Sequence, residues 1–244
     1  MPSADSISQA SPRFSRRESK DAAIYEHLYT AIVEHHLEPG TRLPEDTLSE
    51  NYGVSRTSVR KVLQKLAHDK LVDIRMHHGA TVAQPSLKEA RDLFASRRII
   101  EVGVVADVIA HATPEKLQAI ELISRQEHEA EQANNRRRAI FLSGKFHTEL
   151  ARLSGNDVLA DLLEELVART SLVIATFGAP QASSCKPNRH QEILQLISQG
   201  DVAGARQWMQ DHLLDIERST IQEREEGLAS DLKDILSQVR IRHG

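Results

Sequence analysis

The sequence predicts a mainly α-helical protein, in which three helices and a small β-hairpin precede an all-α helical bundle. Apolar residues recur at helical spacing through most of the 244 residues. Within 71–85, β-branched residues flank a glycine-containing tip, as they do in a hairpin. From Ser86 onward strand signals almost disappear. A chain with 40% hydrophobic residues can give both parts a core.

Three helices are predicted before the hairpin. The first covers 21–36 and is followed by turn-forming residues. The second, 45–52, ends at Gly53, which can adopt the positive φ of a sharp turn. Ser55 then caps the third helix. Its inward stripe consists of Val59, Val62, Leu63, Leu66 and Ala67. We expect 21–84 to form one domain.

Successive helical patterns predict an all-α domain over 87–220. The predicted helices cover 87–111, 114–134, 136–153, 158–177, 187–199 and 202–217. The basic stretch 134–138 is interpreted as a solvated helix start. Residues 1–20 are polar and Ser-rich, which is typical of a disordered arm. The C-terminal segment 221–244 contains a last predicted helix, 228–239, for packing on the bundle or on a partner.

Composition excludes several classes of protein. A net charge of −4 argues against a uniformly basic surface, so a polyanion would need a local patch. Cys185 is the only cysteine, which rules out an intrachain disulfide and favours a reducing, cytoplasmic compartment. No apolar run approaches the ~20 residues that span a bilayer, so we expect no membrane partner.

The predicted third helix begins with polar residues and becomes apolar afterwards. Arg56, Thr57, Ser58 and Arg60 occupy its first turns. Backbone N–H groups at a helix start favour phosphate, and Arg can bond guanine in bidentate fashion. A short helix, a glycine turn and this helix together predict a helix-turn-helix that enters the major groove of double-stranded DNA.

Residues 21–84 resemble the winged helix-turn-helix of GntR-family bacterial transcription regulators, through "PGTRLPEDTLSENYGVSRTSVRKVLQKLAHDKLVDIRMHHGATV". The resemblance implies that the helix start contacts an operator and that the hairpin tip reaches the minor groove. Ser58 replaces a frequent Pro and Thr47 a frequent long charged residue, which should change the bases that are read. The implied DNA-binding residues are Arg42, Ser55, Arg56, Thr57, Ser58, Arg60, His78 and Gly79.

Three histidines fall on the inward stripes of separate predicted helices. They are His147, His190 and His212. A buried histidine is usually a hydrogen-bonded structural residue. Three neutral imidazoles that meet in one core are also the ligand set for a divalent metal such as Zn or Ni. Both interpretations remain open on the sequence alone.

Residues 87–215 resemble the FCD ligand-binding domain of the FadR-type branch, through "FHTELARLSGN" and "RHQEILQLISQGDVAGARQWMQDHL". The resemblance implies that an Asp and the three histidines hold a metal, which helps bind a small carboxylate effector. Here Ser143 replaces that Asp, and a serine hydroxyl supplies no charge. A site with this ligand set would be net positive and would prefer an anionic effector.

The resemblance also implies an effector-binding arginine on the first bundle helix, matched by Arg97, with Glu101 one turn later. A guanidinium can bind a carboxylate in bidentate fashion. The alternative for Arg97 is a surface ion pair with Glu101. Cys185 either borders the effector pocket or is an incidental loop thiol.

These observations predict a bacterial transcription regulator, most readily a repressor. It would bind a palindromic operator as a homodimer, with recognition helices about 34 Å apart, and respond to an organic acid. One rival is a metal-dependent hydrolase with an accessory DNA-binding domain, although no general-base carboxylate stands at metal-site spacing. A second rival is a nucleic-acid scaffold without an effector.

Overall fold

The computed structural model describes the backbone of residues 16–178 and 189–222. The predictions for residues 1–15, Cys185 and the helix at 228–239 lie outside that range. Its helices and strands are α1 (Arg16–Val33), α2 (Glu45–Tyr52), α3 (Arg56–His68), β1 (Val72–Arg75), β2 (Gly79–Val82), α4 (Leu87–His111), α5 (Pro114–Gln132), α6 (Arg136–Arg152), α7 (Asp157–Phe177), α8 (Arg189–Ser198) and α9 (Val202–Glu217), and a π-helical turn follows at Arg218–Gln222.

The predicted fold class is confirmed. Two predicted helices, 87–111 and 202–217, have the limits of α4 and α9. The start of the first helix is wrong, because α1 begins at Arg16 and so includes part of the predicted arm. Its end is also earlier than predicted, since His35 adopts a positive φ of 58° directly after the helix.

The N-terminal domain packs α1 and α3 against each other, with α2 and the hairpin beside them. Gly53 ends α2 in the left-handed conformation, and the Ser55 side chain accepts a hydrogen bond from the backbone N–H of Ser58 at the start of α3. The buried residues of this core include Leu28, Ile32, Val59, Leu63, Leu66 and Leu71.

The hairpin is extended by the segment that precedes α2. Strands β1 and β2 are antiparallel, with Val72 opposite Val82 and Arg75 opposite Gly79. Arg42 forms a further antiparallel bridge with Thr81 on the outer side of β2. The hairpin, hereafter the wing, is thereby attached to the helical part of the domain.

Helices α4 to α9 enclose a second core. Helix α4 contacts α6, α7, α8 and α9, and its buried valines lie among residues of those helices. The arrangement turns one face each of α6, α8 and α9 toward a common point. It is this point that the predicted histidines occupy.

The two domains are in direct contact. Ala168 and Leu172 of α7 are buried in the core of the N-terminal domain. At the start of α6, Arg137 pairs with Glu38 at 3.3 Å and Arg138 pairs with Glu34 at 3.2 Å. The interpretation of 134–138 as a solvated helix start is therefore incomplete, because two of its arginines bind the other domain.

His35 lies at this domain boundary and is only 6% exposed. Burial lowers the pKa of His35 to about 4, and the nearby Arg136 and Arg137 act in the same direction. The folded state therefore binds a proton on His35 less readily than the unfolded chain does, so this group stabilises the folded state only while it is neutral in both. Its contribution is therefore lost as the pH falls from about 6.5, where the unfolded chain takes up the proton, to about 4.

Titration of His35 should lower the free energy of unfolding of the wild-type protein by up to about 3 kcal/mol as the pH falls from about 6.5 to about 4. The His35→Gln variant should lack that part of the pH dependence in urea unfolding. His36→Gln is the matched control, because the neighbouring His36 side chain is 59% exposed. Equal pH slopes in wild type and His35→Gln would contradict the assignment.

Candidate DNA-binding surface and histidine centre

The exposed start of α3 carries four of the predicted DNA-binding residues. Ser55, Arg56, Thr57 and Arg60 are exposed there, and Arg42, His78 and Gly79 are exposed on or beside the wing. Ser58 differs, because it is 2% exposed and its backbone N–H bonds the Ser55 cap. Its predicted contact with DNA therefore stays a prediction, whereas its backbone already supports the helix start.

Both arginines of this helix start are paired with carboxylates from the first turn of α2. Arg56 Nε lies 2.5 Å from Asp46 Oδ1. Arg60 donates two hydrogen bonds to Glu45, of 2.9 and 2.7 Å, and this lowers the pKa of the Glu45 carboxyl. A phosphate or guanine that binds these arginines must therefore compete with Asp46 and Glu45.

The three predicted histidines meet in the bundle. His147 from α6, His190 from α8 and His212 from α9 each offer a ligand atom within 4.8 Å of the others. The Nε2 atom of His212 lies 3.2 Å from Nε2 of His147 and 3.2 Å from Nε2 of His190. All three side chains are at most 2% exposed. We call this group the histidine centre.

Two carboxylates fix the orientation of two of the three rings. Glu101 Oε2 lies 2.5 Å from His147 Nδ1, and Glu127 Oε2 lies 2.5 Å from His190 Nδ1. A neutral imidazole has one N–H, and here Nδ1–H donates to the carboxylate. The Nε2 atoms of His147 and His190 then carry lone pairs that point toward His212.

The donor set fits a divalent cation. One proton on His212 Nε2 can bond only one of its two neighbours, so the Nε2 lone pair of the other histidine is left without a proton. Metal–nitrogen bonds of about 2.1 Å in tetrahedral geometry place neighbouring nitrogens about 3.4 Å apart, close to the observed 3.2 Å. A carboxylate on Nδ1 of a ligating histidine is also the usual outer partner at metal sites.

Arg97 belongs to the same buried network. It donates from Nε to Glu101 Oε1 at 2.7 Å, and both side chains are at most 4% exposed. The predicted alternative, an ion pair between Arg97 and Glu101, is therefore present, but it is buried and does not lie on the surface, because α6 and α9 pack on α4. Burial alone would raise the pKa of Glu101, but Arg97 and His147 outweigh it and lower that pKa to about 2. Burial lowers the pKa of His147, which favours its neutral form.

A cavity of about 240 Å³ borders the centre. Arg97, Ser143 and His147 lie in its wall, together with residues of α1 and α7. The Nη2 atom of Arg97 is buried and has no hydrogen-bond partner among the described residues. A buried guanidinium N–H without a partner is costly, so this end of the cavity is suited to an acceptor such as a carboxylate.

The only tryptophan lies against the histidine centre. Trp208 stacks on His212 with ring centroids 4.6 Å apart and 18° between the planes, and its Nε1 donates to Glu192 at 2.8 Å. A change in the charge or ligation of His212 should therefore alter the fluorescence of Trp208.

Comparison with known proteins agrees with this two-domain arrangement. The bacterial regulatory protein gntR family matches residues 20–82, and the FCD domain matches residues 92–215. The chain belongs to the GntR family and carries an FCD domain. It is therefore a bacterial transcription regulator and not an enzyme, and the hydrolase alternative has no support.

Relatives cover most of this GntR-family regulator. The HTH-type transcriptional repressor RspR of Escherichia coli K12 is 27% identical over 204 residues, 83% of this chain and 90% of that protein. The uncharacterised regulator YdhC of Bacillus subtilis is 30% identical over 146 residues, 58% of this chain and 64% of that protein.

Solved structures share the fold. A GntR-type chain from Rhodococcus sp. RHA1 superposes with a TM-score of 0.76 at 22% identity, over 84% of this chain and 98% of that one. Escherichia coli McbR/YncC gives a TM-score of 0.73 at 18% identity, with the same coverage of each chain. None of the helices in the described ranges of this regulator combines the length and the apolar composition of a bilayer-spanning segment.

Sequence reasoning missed Glu127, Trp208 and the α2 carboxylates. A signal for Glu127 was present, because it continues the buried face of α5 formed by Ile120, Ser124 and Ala130. A carboxylate on such a face requires a partner. Trp208 stands one helical turn before His212, but stacking depends on ring orientation, which spacing does not determine.

We expect Glu127→Gln to weaken zinc binding about 10- to 100-fold, because an amide orients His190 without increasing its basicity. The measurement is a zinc titration of chelator-treated protein, followed by Trp208 fluorescence. Glu121→Gln is the control on the same helix, where the side chain is 48% exposed. An unchanged zinc affinity in Glu127→Gln would show that the carboxylate does not support a metal ligand.

Proposed function

We propose that this regulator is a cytoplasmic repressor that binds a palindromic operator as a homodimer. A small organic anion, bound beside a divalent metal in the FCD domain, would release or modulate operator binding. The observation that carries the proposal is the buried convergence of three histidine Nε2 atoms next to an Arg97 N–H that has no partner in the described part of the chain. The similarity to RspR, itself a repressor, supports the direction of regulation.

Operator binding is assigned to the start of α3 and the wing. Arg56, Thr57 and Arg60 would face base edges or phosphates in the major groove, with Ser55 at the same helix end. Arg42 would bind at the groove edge, and His78 and Gly79 would reach the minor groove. The α2 carboxylates that pair with both arginines would lower affinity for unselected DNA, because phosphate contacts must replace these ion pairs.

The metal is assigned to His147, His190 and His212. When bound, Zn or Ni would supply positive charge for a carboxylate oxygen. Ser143, 6% exposed and one turn before His147 on α6, adds no charge to this set. A water or an oxygen of the effector would then complete the ligand set.

Charge favours an anionic effector. The carboxylates of Glu101 and Glu127 offset the charge of a divalent ion, and the guanidinium of Arg97 then leaves the site net positive. Arg97 uses Nε for Glu101, so Nη2 remains to donate to the effector. The same residues would thus fix the metal ligands and recognise the anion.

Dimerisation is assigned to an outer face of α4. Ile99 is 76% exposed on this face, and Gly103, one turn further, is exposed with open space at its Cβ position. An exposed isoleucine beside a glycine allows close approach of a second helix. A two-fold dimer in which each α4 packs on its counterpart would present two recognition helices to a palindrome.

We expect Arg56→Ala to weaken binding to a duplex selected by the wild-type protein from random DNA about 5- to 150-fold at fixed salt. A lost specific arginine contact has that effect. Arg125→Ala on α5 is the control, because that side chain is 52% exposed and lies in the bundle. Equal affinities for wild type and Arg56→Ala would remove Arg56 from the DNA-binding surface.

We expect Ile99→Glu to convert the protein from a dimer to a monomer in sedimentation, because two glutamates would be buried opposite each other. Its fold should persist, since Ile99 is exposed in the single chain. Leu122→Glu changes a 51% exposed leucine of α5 and should remain dimeric. A dimer with unchanged affinity in Ile99→Glu would place the interface elsewhere.

A further inference from the structure

The cavity beside the histidine centre has walls from both domains. Its inner end contains Arg97, Ser143 and His147. Its outer end contains Tyr29, Thr30 and other residues of α1, the first helix of the DNA-binding domain. Helices α6 and α7 form the sides. A ligand that fills the cavity therefore contacts the bundle and the DNA-binding domain together.

The chemical character of the wall changes along the cavity. At the inner end, buried Arg97 presents an N–H without a partner among the described residues. The wall also contains apolar side chains from α1, α6, α7 and α9, together with four charged residues. The apolar ones are Val33, Ile140, Phe141, Val167, Ile174 and Ile216, and the charged ones are Glu26, Lys145, Glu149 and Glu164. The complementary ligand has an anionic head and an apolar body. A volume of about 240 Å³ lies near the lower limit of small-molecule sites and limits that body to a short chain or a ring.

The outer wall is mechanically connected to the recognition helix. Helix α1 packs on α3 through the core of the DNA-binding domain, and the Tyr25 hydroxyl donates to Asp69 just after α3 at 2.6 Å. The position of α1 against the bundle thus determines where α3 points. Close to the cavity, Arg138 of α6 pairs with Glu34 after α1.

We propose that one monocarboxylate bridges the two domains, with its head on Arg97 and its apolar body against Val33 and Thr30 of α1. Binding then fixes the DNA-binding domain relative to the bundle through the ligand itself. This inference rests on the proposed anion site at Arg97. It adds that the effector's length, and not only its charge, determines regulation.

The test uses the full zinc-treated chain and three acids: acetate, butyrate and hexanoate. Affinity is measured for each from the ligand dependence of thermal unfolding. For wild type we expect affinity to rise about fourfold for each methylene that becomes buried. Thr30→Phe places a ring at the outer end of the cavity. It should leave acetate binding unchanged and remove the advantage of hexanoate over acetate.

Ala23→Phe is the matched control, because Ala23 is exposed on α1 outside the cavity wall. It should retain the full chain-length dependence. If wild type binds acetate but gains nothing from longer chains, or if Thr30→Phe keeps the gain, the bridging inference is overturned while the anion site stands. If no acid, acetate included, changes the unfolding of wild type, the proposed anion site fails and the inference fails with it.

Discussion

Burial of three imidazoles with their Nε2 atoms facing one another is the constraint on which the bundle depends. Helices α6, α8 and α9 each supply one ring, while α4 and α5 supply the carboxylates that hold two of the rings in place. Such an arrangement is costly unless a positive ion or an equivalent partner satisfies the facing lone pairs. The packing of five helices and the chemistry of the proposed effector site therefore have one physical origin.

Helix α6 connects that centre to the DNA-binding domain. Its first turn holds Arg137 and Arg138 against Glu38 and Glu34, and His147 lies three turns further along the same helix. The hydrogen bonds between each backbone N–H and the carbonyl four residues earlier stiffen the helix along its axis. In our account a change at the histidine centre and a change at the domain boundary are two ends of one rigid element.

The sequence predicted the parts of this structure that local chemistry determines. The limits of α4 follow from the Ser86 cap and the Thr113-Pro114 start of the next helix, and the inward positions of the histidines follow from helical spacing. It did not predict that the Arg97 pair is buried, nor that Glu127 reaches His190, because both depend on which helix packs over them. The α2 carboxylates were missed for the same reason, since their pairing with α3 is set by the angle of the turn at Gly53.

The most direct test of the central claim is an anomalous-diffraction measurement at the zinc absorption edge, on crystals of protein purified with zinc. Our account predicts one strong peak per chain among the Nε2 atoms of His147, His190 and His212, at about 2.1 Å from each. A zinc-saturated crystal with no peak there, or with Nε2 atoms turned away from a common point, would contradict it.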